Sequence, residues 1–246
     1  MVSAPDWLTA QAYAHRGLHD AKTPENSLAA FRAAMDRGLG IECDIRVSID
    51  SRAVVFHDAE TERLTGQAGV TANMTVGQLT ALTLGGSTEH IPTLRDMLEL
   101  VAGRVPLLLE LKTDGKESVH KLCRAVRRDV EGYTGPVAVM SFDPRIGAWF
   151  ASHMPDLPRG MVITEQGSRT LSGAVKRRVQ TKRGLPHFLA YDVRDLPSRF
   201  AKSYTKCGTP LLSWTVKSGS DVETVLATGA IPILEGDGVA AWEARA

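Results

Sequence analysis

A chain of 246 residues, 43% hydrophobic and 23% charged, has the makeup of a globular protein with a substantial core and lies within the size range of one α/β barrel. Its formal net charge of +1 excludes a global bias toward nucleic acid or an anionic surface, so any anion preference must be local. Cys43, Cys123 and Cys207 are widely spaced and form no CxxC pair, which argues against a disulfide framework or a structural zinc site. The stretch Met1 to Trp7 has no basic start and no apolar run of signal length, and no segment approaches the ~20 apolar residues of a membrane span. A cytoplasmic protein without stable membrane association is expected.

Along the chain, short apolar runs rich in β-branched residues alternate with stretches of helical spacing. The runs cover 12–14, 41–47, 54–56, 105–111, 137–140, 161–163, 188–191, 211–216 and 231–234, and 27–37 and 118–130 are helical. Repeated strand-helix units imply parallel strands joined by right-handed crossovers. Val47 and Val54 are separated by only six residues, whereas a parallel crossover needs about a dozen, so these two runs must form an antiparallel hairpin. Eight strands remain, and the expected fold is a TIM (β/α)8 barrel of one domain over 1–246. Thr23 should cap a helix with Pro24 in its first turn. The polar, glycine-bearing segment 59–90 reads as a small insertion over the barrel mouth, with a short helix near 75–82. It is either an inert loop or a substrate-covering lid. Lys176, Arg177, Arg178, Lys182 and Arg183 form the densest basic stretch. It lacks interleaved aromatic residues, so it reads as a solvated helix face and not a nucleic-acid patch.

The residues that carry chemistry cluster at strand ends. They are His15-Arg16-Gly17, Glu42-Cys43-Asp44, His57-Asp58 and Glu110-Leu111-Lys112. Residues two apart in a strand share a face, so Glu42 pairs with Asp44 and Glu110 with Lys112. Three acidic groups converging at the carboxyl end of a barrel repel one another unless a cation neutralises them. An all-oxygen ligand set favours Mg2+ or Ca2+ over zinc. The hairpin returns His57 to the neighbourhood of Asp44, and two histidines can supply the base and the acid that attack on phosphorus requires. Arg16 and Lys112 would neutralise phosphate oxygens; a salt bridge with the same carboxylates is the alternative for Lys112. Glu25 could orient a group of the site. Phe142 and Trp214 could line an apolar wall, or simply pack the core. His19, His90, His120, His153 and His187 have no partner pattern and are read as structural.

Ala14-His15-Arg16-Gly17, Thr23-Pro24-Glu25-Asn26-Ser27, Ile41-Glu42-Cys43-Asp44-Ile45 and Val55-Phe56-His57-Asp58 occur in order with Arg63-Leu64-Thr65-Gly66, Ile91-Pro92-Thr93-Leu94, Leu109-Glu110-Leu111-Lys112, Ser141-Phe142 and Trp214-Thr215-Val216. This ordered set resembles the glycerophosphodiester phosphodiesterase family of phospholipase-C-like barrels. The resemblance implies a divalent metal on Glu42, Asp44 and Glu110, with His15 and His57 as general acid and base. It further implies Arg16 and Lys112 as phosphate contacts and a small glycerophosphodiester substrate, cleaved to sn-glycerol 3-phosphate and an alcohol. The glycerol 2-hydroxyl would attack first and water would open the cyclic phosphate. Lys217 and Leu234-Glu235-Gly236-Asp237 depart from the family pattern on the later half of the rim, which bears on the alcohol taken. The rival readings are a lysophospholipase D acting on lysolipids, a non-catalytic barrel that binds only, and a metal-dependent lyase or aldolase. No pattern speaks to the oligomeric state.

Overall fold

The apolar runs become strands, and the amphipathic stretches between them become helices. In the computed structural model, which describes residues 4–113 and 118–245, the strands are β1 Tyr13–His15, β2 Gly40–Val47, β3 Ala53–Val55, β4 Leu107–Leu111, β5 Val137–Ser141, β6 Arg159–Ile163, β7 Phe188–Asp192, β8 Leu211–Val216 and β9 Ile231–Leu234. The helices are α1 Leu28–Asp36, α2 Glu62–Thr65, α3 Val76–Thr80, α4 Leu94–Val101, α5 Val119–Val130, α6 Pro144–His153, α7 Leu171–Gly184, α8 Arg199–Thr205, α9 Gly219–Thr228 and α10 Asp237–Glu243. The strand order is β1-β9-β8-β7-β6-β5-β4-β2-β3, and β1 also pairs with β2, so eight strands close into a parallel (β/α)8 barrel with β3 outside it. Among the described residues no helix is long and apolar enough to cross a membrane. All three cysteines are free.

The chain comprises two compact units: Arg16–Val137, and the residues up to His15 together with those from Ala138 onward. In the first, β2 is buried along its whole length, as a parallel strand covered on both faces must be. It pairs with β4 in a register that sets Asp44 beside Glu110. Cys43 turns its thiol toward Met97 of α4, at 3.4 Å, so Glu42 and Asp44 face the other way. The expected hairpin is present, with Ile45, Arg46 and Val47 opposite Val55, Val54 and Ala53. The segment 59–90 holds α2, a 3-10 turn at Thr71–Asn73, and α3. It has its own apolar cluster, in which Leu79, Leu82, Leu84 and Ile91 pack on Val54 and Phe56. In the second unit β5 to β9 run parallel, and β9 pairs with β1.

Three local expectations are corrected. The cap of α1 is Ser27, whose hydroxyl accepts from Ala30 N at 3.1 Å, and not Thr23. Asp20 Oδ1 already takes the Thr23 amide at 2.8 Å, and Asn26 has φ 58°, so the chain cannot turn helical before Ser27. The fourth strand starts at Leu107 and not at 105, since Pro106 has no N–H for a ladder, although its carbonyl accepts from Ile41 N at 2.9 Å. The sixth starts at Arg159, which hydropathy places outside a strand. Arg159 is nevertheless buried, with Nε donating to Leu185 O at 2.9 Å.

Candidate active site

The turn after β1 fixes the first functional groups of the Arg16–Val137 unit. Arg16 and Gly17 have φ of 56° and 76°, a left-handed pair that only glycine adopts without strain. Gly17 is also forced by space, because a Cβ there would lie 2.9 Å from Ala30 Cβ and from the Phe31 ring of α1. The strained Arg16 backbone is held at both ends: its N–H donates to Glu42 Oε2 at 3.1 Å, and its carbonyl accepts from Asn26 N at 2.9 Å. Asn26 is fully buried and spans Asp44, donating through Nδ2 to Oδ2 at 2.9 Å and accepting the Asp44 amide at 3.2 Å.

Glu42, Asp44 and Glu110 are buried, and each offers a carboxylate oxygen within 4.8 Å of the others. Lys112 Nζ lies 2.7 Å from Glu110 and 3.0 Å from Asp44, so this lysine forms salt bridges with two of the three carboxylates. Arg16 Nε sits 3.1 Å from Asp44 while its Nη1 binds Glu25 at 2.8 Å. Burial works against the Lys112 charge, but Glu110 and Asp44 outweigh it and push its pKa above the usual lysine range. The same contest, with Asp44, Glu25 and Glu42 against burial, raises Arg16. Lys112 and Arg16 offset part of the charge of the three carboxylates. The all-oxygen donors of the cluster suit a hard divalent ion, so these residues fit such an ion.

His57 lies beyond β3, where Phe56 N donates to Asp44 O at 2.9 Å and Arg46 Nε donates to the His57 carbonyl at 2.7 Å. Its Nδ1 is 2.6 Å from Asp58 Oδ1. Arg63 bridges onward, with Nε 2.5 Å from Asp58 Oδ2 and Nη2 2.7 Å from Glu25. Burial would raise the Asp58 pKa, but bonds from Arg63 and His57 more than reverse it and hold the carboxyl low. Glu25 is lowered against burial in the same way by Arg63 and Arg16. A continuous line of charged contacts thus runs His57, Asp58, Arg63, Glu25, Arg16, Asp44. The sequence points to Glu25 as an orienting group and to Asp58 beside His57, but assigns no partner to Asp58 and no role to Asn26 or Arg63. An aspartate directly after the histidine was the available signal.

The other unit holds His15, Phe142 and Trp214. His15 closes β1, and its Nδ1 is 2.7 Å from Glu235 Oε2, two hundred and twenty residues away. Lys217 Nζ clamps the other carboxylate oxygen at 2.7 Å. The His15 bond, opposed by burial and helped by Lys217, pulls the Glu235 pKa down to about 2. The two positions that depart from the family pattern are therefore partners, and one of them fixes the His15 tautomer. Phe142 and Trp214 meet edge to face, with centroids 5.6 Å apart, and Trp214 Nε1 donates to Ala190 O at 3.1 Å.

A family model described as the glycerophosphoryl diester phosphodiesterase family matches residues 15–235. The chain is 28% identical over 238 residues to a glycerophosphodiester phosphodiesterase of Caldanaerobacter subterraneus subsp. tengcongensis, covering 91% of this chain and 93% of that one. It is 36% identical over 127 residues to glycerophosphodiester phosphodiesterase 1 of Homo sapiens, covering 48% and 37% of the two chains. Its fold is similar to an Oleispira antarctica phosphodiesterase solved with the product sn-glycerol-3-phosphate, with TM-score 0.83, 21% identity and 97% coverage of both chains. It is also similar to a glycerophosphodiester phosphodiesterase of Thermotoga maritima, with TM-score 0.73, 23% identity and coverage of 96% and 97%.

Proposed function

Since the chain belongs to the glycerophosphoryl diester phosphodiesterase family, we propose that this phosphodiesterase cleaves small glycerophosphodiesters to sn-glycerol 3-phosphate and an alcohol, using a divalent cation and two histidines. The carrying observation is the buried trio Glu42, Asp44 and Glu110, whose oxygens lie within 4.8 Å of one another. These three residues would hold Mg2+ or Ca2+, which when bound supplies Lewis-acid polarisation of a phosphate oxygen. Arg16 and Lys112 neutralise the non-bridging oxygens of the diester. His15 and His57 carry the proton transfers through Nε2, because Glu235 and Asp58 hold the Nδ1 of each. One histidine takes the proton of the glycerol 2-hydroxyl as its oxygen bonds to phosphorus, and the other protonates the departing alkoxide. Water then opens the cyclic phosphate. Phe142 and Trp214 face the leaving alcohol, and residues 1–246 act as one catalytic domain.

The test is phosphomonoester release from glycerophosphocholine with added Mg2+ or Ca2+ and after chelation. Chelation should abolish turnover, and Glu110→Ala should remain folded but inactive at any cation concentration. Near-normal turnover by that variant would sink the assignment of the carboxylates.

A further inference from the structure

Helix α7 presents its apolar residues outward. Its buried positions are Arg177, Thr181 and Gly184, whereas Leu171, Val175 and Val179 are 89%, 60% and 59% exposed. Four-residue steps place these three on one stripe, on the side of the helix opposite Arg177 and Thr181. Leu185, which follows the last turn, is 53% exposed. Half of the eight large exposed hydrophobics among the described residues thus fall between 171 and 185. The orientation is held from inside by polar contacts. Arg177 Nη2 binds Glu165 at 3.0 Å, its guanidinium lies 5.5 Å from the Phe200 ring centroid, and Thr181 donates to the Arg177 carbonyl at 2.9 Å.

The charge of α7 has one sign. Lys176, Arg177, Arg178, Lys182 and Arg183 lie within it, and it contains no acidic residue. By helical angle, Arg178 borders the apolar stripe on one side, Lys176 and Arg183 on the other, and Lys182 continues it. Beside Arg177 and Arg178 lies a cavity of about 500 Å³ that Arg169, Arg194 and Arg199 also line. Its acidic lining residues, Glu165 and Asp195, are paired with Arg177 and Arg169.

We propose that α7 docks the protein peripherally on a bilayer surface rich in anionic lipid. Leu171, Val175, Val179 and Leu185 enter the boundary between headgroups and acyl chains, and the flanking lysines and arginines pair with the headgroups. Charge complementarity selects this occupant. A second copy packed on the same stripe would oppose the four positive charges of Lys176, Arg178, Lys182 and Arg183 with four. Nucleic acid would meet the charge but leave the apolar stripe uncovered, with no aromatic residue for its bases. The stripe is short, so docking is reversible and sensitive to salt.

The experiment is sedimentation of the intact protein with phosphatidylcholine vesicles and with vesicles in which about 30% of the lipid is phosphatidylglycerol, a readout independent of catalysis. The protein should bind the anionic vesicles only and release in high salt. Leu171→Ser/Val175→Ser/Val179→Ser and Arg178→Glu/Lys182→Glu should each weaken binding at least about tenfold, since one basic residue contributes roughly five-fold and the aliphatic contacts more. Both variants alter exposed positions and should keep the parental melting temperature. No binding to anionic vesicles, equal binding to neutral ones, or parental binding by the serine variant would overturn the proposal. It would also be overturned by a dimer that the serine variant abolishes, or by tight oligonucleotide binding that the serine variant retains.

Discussion

Glu235 reaches His15 and Lys217 at once, each at 2.7 Å. A carboxylate on Nδ1 stabilises one tautomer and a positive charge on the ring, so under the proposed mechanism its effect runs through the histidine. Glu235→Gln keeps the shape but loses the charge. Steady-state kinetics with glycerophosphocholine should show kcat falling at least about tenfold with KM nearly unchanged, given that a proton-transfer group contributes roughly 10²–10⁴. A change confined to KM would return Glu235 to alcohol recognition. The pKa of about 2 adds a sign that can be checked. A carboxyl depressed in the folded state stabilises it above the unfolded pKa and loses that contribution as pH falls toward the folded value. The stability of the parent over Glu235→Gln should therefore be complete above about pH 4.5 and vanish near pH 2, as read by urea unfolding across pH.

At the scale of elements, the turn between β1 and α1 stands on Gly17. Adding a Cβ there brings both the left-handed penalty and overlap with α1 at 2.9 Å, whereas Gly38 has φ 67° and open space around its Cβ position. Gly38→Ala should cost about 1–2 kcal/mol, and Gly17→Ala about 1–3 kcal/mol more because it must also displace α1. Comparing the two by urea unfolding separates strain from overlap, and equal losses would contradict the packing argument. The strands were legible because apolar β-branched runs and crossover lengths are local signals, and six residues between Val47 and Val54 allow only a hairpin. The carboxylate trio was legible for a similar reason, since alternation places Glu42 and Asp44 on one face. What periodicity cannot say is which face an element buries, so the outward stripe of α7 escaped it. Nor does it show partners distant in sequence, such as Glu235 for His15, or that Asn26 would take a left-handed conformation and delay the helix to Ser27.

For the molecule as a whole, 29 basic and 28 acidic residues nearly cancel, yet the balance is not uniform. Positive charge gathers on α7, while Glu42, Asp44 and Glu110 are buried with Lys112 and Arg16 against them. Burying like charges opposes folding, and Lys112 relieves that repulsion while touching two of the three carboxylates. A divalent ion held by the same oxygens would relieve it further. It would do so only in the folded state, because the unfolded chain does not bring Glu42 and Glu110 together. Mass action then converts binding into global stability, about 2.7 kcal/mol at a hundredfold excess over Kd. For a chain of this length that corresponds to a rise in Tm of about 5–10 °C. The shift should appear with Mg2+ or Ca2+ against sodium chloride of equal ionic strength, reverse with chelator, and be lost in Glu110→Ala. Because it requires no substrate, it tests the cation site separately from the two histidines. A parent protein whose Tm ignores both ions up to millimolar concentration would leave Lys112 as the neutralising partner of the trio and count against the cation.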